Sequence, residues 1–235
     1  MESHRVVSRD QWIEERKGLL AREKEFTRLR DQLSRERREL PWVRVDQKYA
    51  FEGAKGKQTL AELFEGRQQL IVYHFMFDPS WDEGCPSCSF WGDNFNGIIV
   101  HLNQRDVSLV AISRAPFAKL AAFQRRMGWG FNWLSSFGTD FNTDFNVSFT
   151  PEKLAQGEAV YNYAPRKTSM SELPGISVFY KAPDGTIFHT YSCYARGLDM
   201  LNVAYHYLDI VPKGRDEAGF SRPMAWVRYH DAYGE

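Results

Sequence analysis

The feature of this sequence best suited to chemistry is a pair of cysteines, Cys85 and Cys88, separated only by Pro86 and Ser87. The pair follows the apolar run Leu70–Phe77 and a short polar loop, and it precedes a segment that suits a helix. A helix N-terminus has unpaired N–H groups and a partial positive charge. Both favour a thiolate, which is the reactive form of cysteine. The motif therefore predicts a redox-active thiol pair at the start of a helix.

The two cysteines are expected to play different parts. Cys85 falls at the helix cap, where its sulfur is the more exposed of the two. Cys88 falls one turn further along on the same face, because residues i and i+3 are neighbours on a helix. We therefore expect Cys85 to attack a disulfide of a protein or small-molecule substrate and Cys88 to resolve the mixed disulfide. This chemistry requires no cofactor.

The elements that position this motif alternate along the chain. A strand at Leu70–Phe77, a helix over 85–104, a strand at Val107–Ile112 and a helix at Pro116–Met127 follow one another. This order predicts parallel strands joined by right-handed crossovers. Further on, the turn signal Asp184-Gly185 separates two strands, and a helix over 197–209 closes the pattern; the strands are Ile176–Lys181 and Thr186–Tyr191.

The segment before this pattern predicts a long amphipathic helix over residues 8–40. Ser8 followed by Gln11 forms a capping-box pattern, and Pro41 ends the helix. Apolar residues recur every seven positions along it, at Trp12, Leu19, Phe26, Leu33 and Leu40. Such a stripe belongs either to an arm folded onto its own domain or to an arm that packs on a second subunit and makes a homodimer.

We divide the chain into the arm 1–40, a core domain 41–212 and a tail 213–235. Residues 41–68 predict a β-hairpin and a short helix. Residues 128–175 predict an irregular insert, rich in aromatic residues interleaved with Asn, Asp and Gly. Aromatic residues can stack on bases, but without a basic excess they are expected to pack in the core.

Composition narrows the classes of partner and compartment. The 30 acidic and 30 basic residues balance, which argues against nucleic acid as the main partner. The longest apolar run is far shorter than the roughly 20 residues of a spanning helix, so no membrane partner is expected. The N-terminus has no apolar signal core, and three cysteines do not make a disulfide framework. We therefore expect a cytoplasmic protein.

The order of these elements resembles the thioredoxin fold, and Leu173–Phe179 resembles the segment of that fold that contains a cis-proline, here Pro174. From Trp12 to Tyr233 the chain resembles the DUF899 family of bacterial thioredoxin-like proteins. The blocks that carry this resemblance are His74–Phe77, Cys85–Trp91, Ser113–Pro116, Arg126–Trp129 and Tyr194–Gly197. The resemblance implies a bacterial α/β protein with a mixed central sheet flanked by helices, and it places Pro174 opposite the cysteines.

The same resemblance draws attention to four more residues around the motif. Tyr73 stands where thioredoxin has a buried Asp; a tyrosine cannot take a proton from Cys88 at neutral pH. His74 is the substitute acceptor, unless it is a hydrogen-bonded core residue. Arg114 would stabilise a thiolate or hold an acidic group of the substrate, unless it forms a surface salt bridge. Cys193 would be a third redox thiol, unless it is a small buried residue.

Three functions compete with a thiol–disulfide oxidoreductase. A binding or scaffold module without redox turnover would suit the acidic residues Asp82 and Glu83, which oppose a thiolate. A thiol peroxidase would need Thr or Ser three residues before its cysteine and Pro seven before it, but residues 82 and 78 are both Asp. A zinc site would combine the three cysteines with one histidine, although a lone CxxC is only half of a structural zinc site.

Overall fold

A long helix, α1 (Arg9–Glu39), makes up most of the first of two compact units. The structure is a computed structural model and describes residues 4–234. The boundary between the two units falls after Pro41. The Ser8 hydroxyl accepts from the Gln11 N–H at 3.3 Å, and the Gln11 side chain accepts from the Ser8 N–H at 3.1 Å, so the predicted capping box is present. No residue of α1 is buried. Among residues 4–234, no helix combines the length and the apolar character needed to cross a membrane.

The second unit, Trp42–Glu235, is built on a mixed sheet of eight strands. In chain order they are β1 (Val43–Arg44), β2 (Ala50–Gly53), β3 (Gly56–Thr59), β4 (Gln69–His74), β5 (Val107–Ser113), β6 (Asn132–Ser135), β9 (Gly175–Lys181) and β10 (Ile187–Tyr194). A separate ribbon pairs β7 (Val160–Tyr161) with β8 (Ala164–Pro165).

Helices and short 3₁₀ segments connect the strands. They are a 3₁₀ turn at Glu62–Phe64, α2 (Pro86–Gly92), α3 (Phe95–Asn103), α4 (Phe117–Arg126), α5 (Phe141–Asp144), α6 (Pro151–Gln156), a 3₁₀ segment at Ala195–Leu201 and α7 (Val203–Leu208). The sheet order is β1-β10-β9-β4-β5-β6-β2-β3, with β4, β5 and β6 mutually parallel and β9 and β10 antiparallel to their neighbours. This is a thioredoxin-like fold, as the sequence predicts.

Strand β4 lies at the centre of the sheet and is covered on both faces. Its alternate residues enter two different apolar clusters: Leu70 and Val72 point to one, and Ile71 and Tyr73 to the other. The second of these clusters also contains Cys88. Because the side-chain period of a strand is two, neighbouring residues such as Tyr73 and His74 lie on opposite faces. This alternation decides which of them can approach the thiols.

The structure differs from the predicted elements in three places. The helix predicted over 85–104 is interrupted between α2 and α3 at Asp93 and Asn94. The Asn94 side chain donates to the Phe90 carbonyl at 3.1 Å, a bond that competes with the helical backbone pattern. The closing helix over 197–209 is a 3₁₀ segment followed by α7. The insert supplies β6 to the main sheet, and most of its phenylalanines are buried as predicted, although Phe137 is exposed.

We expect α1 to make the protein a homodimer, because its seven-residue apolar stripe can pack against the same stripe of a second copy. Trp12, Phe26 and Leu33 on this stripe are all exposed. Light scattering coupled to size exclusion should give twice the chain mass of 27.3 kDa. A chain carrying Phe26→Glu and Leu33→Glu should run as a monomer. If the unaltered protein is itself a monomer, the stripe has another role.

Candidate active site

The CxxC motif begins helix α2, as predicted. Beyond β4 the chain stays extended, and the Phe75 N–H donates to the Ile112 carbonyl at 2.9 Å. After the loop 78–84 it returns, so that the Cys85 N–H donates to the Met76 carbonyl at 3.0 Å. Cys85 is the N-cap of α2, and Pro86 occupies the first turn, where its missing N–H costs nothing. The thiol pair is therefore anchored to the carboxyl end of the central strand.

Gly84 allows the chain to turn into the motif. A Cβ on this residue would lie 2.8 Å from a ring carbon of Phe75 and 3.1 Å from one of Phe123. Neither aromatic ring can move easily, since both are buried in the core. The Gly84 carbonyl also accepts a hydrogen bond from the Tyr229 hydroxyl at 2.7 Å. This bond ties the C-terminal segment to the residue before Cys85.

Cys85 is partly exposed, and its surroundings favour the thiolate. The Cys88 thiol is the main donor to its sulfur, and the N–H groups of Cys88 and Ser87 and the Ser87 hydroxyl add to it. Against the opposing effect of burial, these hydrogen bonds lower the pKa of Cys85 from 9.0 to about 7. A sulfur at this position accepts N–H groups that the helix cannot pair internally. Cys85 therefore carries thiolate character near neutral pH.

Cys88 is buried, and its surroundings favour the thiol. Burial raises the pKa of Cys88 well above its ordinary value, and the interaction with Cys85 raises it further. The Met76 N–H, which donates to the Cys88 sulfur at 3.4 Å, acts in the opposite direction. The pair is therefore asymmetric, with one sulfur ready to act as a nucleophile and the other held as a proton donor.

Tyr73 lies beneath Cys88 in the same apolar cluster. Its buried hydroxyl interacts with the Cys88 sulfur and lowers the pKa of Cys88. The contact does not reach the geometry of a standard hydrogen bond. Burial raises the pKa of Tyr73 itself well above its ordinary value, so the phenol keeps its proton. Tyr73 can therefore donate a hydrogen bond to a Cys88 thiolate but cannot accept the proton of the thiol.

His74 is on the opposite face of the sheet from the cysteines. Its Nε2 is 2.9 Å from the Ser177 hydroxyl, and its ring packs against Phe141 and Phe145. Burial, with a smaller effect of His189, lowers the pKa of His74 to about 3, so the imidazole is neutral. The geometry does not support His74 as the proton acceptor for Cys88, because the pleat of β4 turns the two side chains apart. His74 is a hydrogen-bonded core residue.

Arg114 is held by two carboxylates. Its Nε donates to Glu172 at 2.6 Å and its Nη2 donates to Asp78 at 2.5 Å. Burial raises the pKa of Glu172 to about 7, although the Ser148 hydroxyl and Arg114 lower it. The guanidinium therefore joins the loop after β4 to the segment before β9. This agrees with the salt-bridge interpretation rather than with a direct role at the thiols.

Pro174 borders the same cavity as Cys88, so the structure brings this residue to the site. The expectation of a cis bond here is wrong, since residues 4–234 contain no cis peptide bond. The Leu173 N–H donates to the Val147 carbonyl at 2.8 Å, and the Pro174 carbonyl accepts from the Tyr161 hydroxyl at 2.6 Å. These bonds hold the segment as an extended chain, in the trans isomer that X–Pro bonds ordinarily prefer.

Cys193 is buried near the end of β10, in the apolar cluster that contains Cys88 and Tyr73. Among the described residues, no three His, Cys, Asp or Glu side chains converge in a way that could hold a metal ion. The zinc alternative, which would combine Cys193 with the CxxC pair, thus has no ligand set. Cys193 contributes to the packing beneath the site.

The C-terminal segment lies next to the motif, a contact that the sequence analysis does not predict. Arg126 forms ion pairs with Glu83 and with Asp231, at 2.8 Å in the second case. Tyr229 packs against the same apolar cluster as Cys85. Glu83, expected to oppose the thiolate, is therefore paired with a cation. The only signal in the sequence was the aromatic content of the tail, which has no recognisable period.

A cavity of about 500 Å³ opens beside Cys88. Ser87, Cys88, Tyr73 and Pro174 border it on the side of the motif. The segments after β10 and the C-terminal segment complete its wall. Cys88 is thus next to a space that can hold a small molecule, whereas Cys85 is not among the residues that line it.

The fold and the asymmetric thiol pair define a thioredoxin-like protein with a CxxC motif at a helix N-terminus. The chain belongs to the DUF899 family, described as bacterial proteins of unknown function, whose model matches residues 1–233. This confirms the resemblance found in the sequence.

Three solved structures illustrate what the fold is similar to. Peroxidoxin BcpB from Mycobacterium tuberculosis has a TM-score of 0.48 and 14% identity, over 69% of this chain and 93% of that chain. A cysteine mutant of PrxQ from Xylella fastidiosa has a TM-score of 0.43 and 14% identity, over 68% of this chain and 89% of that chain. The mitochondrial 2-Cys peroxiredoxin from Plasmodium falciparum has a TM-score of 0.42 and 14% identity, over 77% of this chain and 96% of that chain. No curated protein matches the chain.

The pKa difference between the cysteines predicts the pH dependence of alkylation. Iodoacetamide should modify Cys85 at a rate that rises through about pH 7, rather than through pH 9, because the folded state stabilises its thiolate. Cys88 should stay unmodified over this range. Mass spectrometry of the cysteine-containing peptide at each pH gives both rates.

Two variants at Cys88 test the cause of the shift. Cys88→Ser keeps a donor beside Cys85, whereas Cys88→Ala removes it. The pH at the midpoint of the alkylation curve should therefore rise more in the alanine variant than in the serine variant. Equal midpoints near 9 in all three proteins would contradict the assignment.

Proposed function

We propose that this protein is a thiol–disulfide oxidoreductase in which Cys85 is the nucleophile and Cys88 the resolving thiol. The observation that supports this most directly is the opposite pKa perturbation of the two sulfurs at the start of α2. Perturbed pKa values matched to the task are typical of reacting groups. A scaffold would have no use for a thiolate at one sulfur and a buried proton at the other.

In the first step the Cys85 thiolate attacks one sulfur of a substrate disulfide. A Cys85–substrate disulfide forms, and the other substrate sulfur leaves as a thiolate and takes up a proton. The hydrogen bond from the Cys88 thiol lowers the pKa of Cys85 most, and the Cys88 and Ser87 N–H groups lower it further. An attacking thiol is most effective when its pKa lies near the ambient pH, since a lower pKa also reduces nucleophilicity.

In the second step Cys88 attacks the Cys85 sulfur and expels the second substrate thiolate. The interaction with Cys85 contributes to the raised pKa of Cys88. Once Cys85 is in a mixed disulfide its negative charge is gone, so the pKa of Cys88 falls. The Tyr73 hydroxyl and the Met76 N–H then stabilise the Cys88 thiolate. Resolution is thereby coupled to completion of the first step.

The reaction moves two electrons from the dithiol to the substrate, which leaves as two thiols. The protein is left with a Cys85–Cys88 disulfide, and an external dithiol must reduce it for a further turnover. We place the protein in the cytoplasm, because a reducing compartment keeps such a pair in the dithiol form. Pro174, Pro86 and Ser87 shape the site, and the protein supplies no cofactor chemistry.

Two cysteine substitutions test the roles directly. Cys85→Ser should abolish disulfide reduction, because the nucleophile is lost. Cys88→Ser should keep the first step and trap a mixed disulfide, seen by mass spectrometry as one added substrate half. Cys193→Ser is the control and should reduce disulfides at the rate of the unaltered protein.

The proposal fails if no disulfide is reduced and the cysteines of the unaltered protein are alkylated no faster than an ordinary thiol. The binding or scaffold module would then be the better description of this domain.

Tyr73 has a distinct part in this mechanism, which Tyr73→Phe tests. Loss of the hydroxyl should slow the resolving step by about 10- to 150-fold, since a hydrogen bond to a charged group is worth roughly 1.5–3 kcal/mol. Rapid quenching with acid should show a longer-lived mixed disulfide, with an unchanged rate of its formation. Tyr207→Phe, at an exposed tyrosine, should change neither rate. An unchanged lifetime in Tyr73→Phe would exclude this role.

A further inference from the structure

We infer that the cavity beside Cys88 is the substrate site, and that the substrate is a small disulfide with an apolar body and an acidic group. This inference rests on the proposed function, because it names what the thiol pair reduces. It is carried by the size of the cavity, its walls, the Tyr73 hydroxyl beside Cys88, and the exposed guanidinium of Arg196.

The size and the walls fit a small molecule. At about 500 Å³ the cavity is within the usual range for small-ligand pockets, roughly 300–1,000 Å³. Much of its wall is apolar, formed by Trp91, Leu198, Tyr205 and Met224. The Trp91 Nε1–H is already used, since it donates to the Leu198 carbonyl at 3.1 Å. These side chains therefore offer apolar contact rather than hydrogen bonds.

The Tyr73 hydroxyl lies in the wall of the cavity beside the Cys88 sulfur. Tyr73 is 1% exposed, and its oxygen interacts with the Cys88 thiol but makes no hydrogen bond of standard geometry. The hydroxyl can therefore donate to a polar atom of a bound ligand, or to the sulfur of a substrate disulfide, next to Cys88.

The carboxylates in the wall of the cavity are already engaged. Arg215 binds Asp209 at 2.7 Å and Asp199 at 2.9 Å. Glu217 accepts from the Tyr205 hydroxyl at 2.7 Å and from the Trp226 Nε1–H at 2.8 Å. Arg215 offsets the charges of Asp199 and Asp209 only in part, and the neutral donors at Glu217 leave that carboxylate charged. An acidic group of a ligand therefore has to be bound by the exposed Arg196.

Arg196 differs from the other cation at the cavity. Its side chain is 85% exposed, and its ion pair is with Asp199, at 3.2 Å, a carboxylate that Arg215 already binds more closely. An exposed pair of this kind contributes little and can exchange its partner. The guanidinium is therefore available to a carboxylate on a ligand, which it can bind through two N–H groups.

The C-terminal segment next to the motif disfavours a protein substrate. Met224 and Tyr229 pack against the same apolar cluster as the partly exposed Cys85, and the Tyr229 hydroxyl donates to the Gly84 carbonyl. A folded protein has to bring its disulfide to Cys85 past this segment. A small disulfide can instead enter at Cys88, whose sulfur is hydrogen-bonded to that of Cys85.

The chemical steps are those already described, with the substrate R–S–S–R in the cavity. Cys85 forms a bond to one substrate sulfur, and the bond between the two substrate sulfurs breaks. Cys88 then bonds to Cys85, the mixed disulfide breaks, and two R–SH leave after taking up protons. The two electrons come from the Cys85–Cys88 dithiol, so a single turnover requires no added reductant.

A single-turnover experiment with two aromatic disulfides tests the inference. The full chain is reduced, freed of reductant, and mixed with dithiobis(nitrobenzoate), which carries carboxylates, or with dithiodipyridine, which is neutral. Absorbance follows the two released thiols. Arg196→Gln should lower the rate of thiol release from the carboxylated probe by about tenfold, and from the neutral probe by less than about twofold. Arg125→Gln, at an exposed arginine of α4, should change neither rate.

A second pair of variants tests the cavity itself. Met224→Trp should fill the cavity and lower the rate of thiol release from both probes by about tenfold or more. Phe220→Trp, at an exposed residue of the same segment, should leave both rates unchanged. Insulin reduction with dithiothreitol as the electron source should be slower, in kcat/KM, than reduction of the small disulfides.

The outcomes separate the two proposals. If the unaltered protein releases two thiols but Arg196→Gln reacts normally with both probes, or insulin is the better substrate, the inference is wrong and the proposed function stands. If the unaltered protein forms no Cys85–Cys88 disulfide with any probe, the proposed function itself fails. Arg196→Gln changes an exposed side chain, so the result does not depend on whether Met224→Trp folds.

Discussion

The hydrogen bonds that the start of α2 gives to the Cys85 sulfur are the interaction on which the rest of the site depends. A helix cannot pair its first N–H groups internally, and a sulfur at the cap accepts them. The N–H groups of Ser87 and Cys88 take this part here. For this to happen the chain must turn sharply after the central strand, which Gly84 allows and the Met76 carbonyl fixes.

Burial gives the two sulfurs their different character. The same apolar surroundings that keep the proton on Cys88 also keep it on Tyr73, so no carboxylate is needed in the core beneath the motif. A phenol that stays protonated can only donate a hydrogen bond, and it therefore acts when a thiolate appears beside it. The proton of Cys88 must leave towards the Cys85 side or the cavity, because His74 is on the other face of the sheet.

Pairs of carboxylates around the motif are each held by one arginine. Arg114, Arg126 and Arg215 bind, respectively, Asp78 with Glu172, Glu83 with Asp231, and Asp199 with Asp209. The pairs of Arg126 are largely exposed and contribute little to stability, whereas those of Arg114 join buried carboxylates. Their common effect is on position and charge, since they fix the loop before Cys85 and the C-terminal segment and offset part of the negative charge that would oppose a thiolate.

The local features could be predicted from the amino-acid sequence: the capped helix α1, the α/β alternation, and the CxxC motif at the start of a helix. Each depends on contacts between residues close in the chain, such as Ser8 with Gln11 or Cys85 with Ser87. Three features became visible only in the folded chain: Arg114 binds Asp78 and Glu172, Leu173–Pro174 is trans, and the Tyr229 hydroxyl donates to the Gly84 carbonyl. These outcomes depend on which segments distant in sequence pack together, and local propensity does not encode that packing.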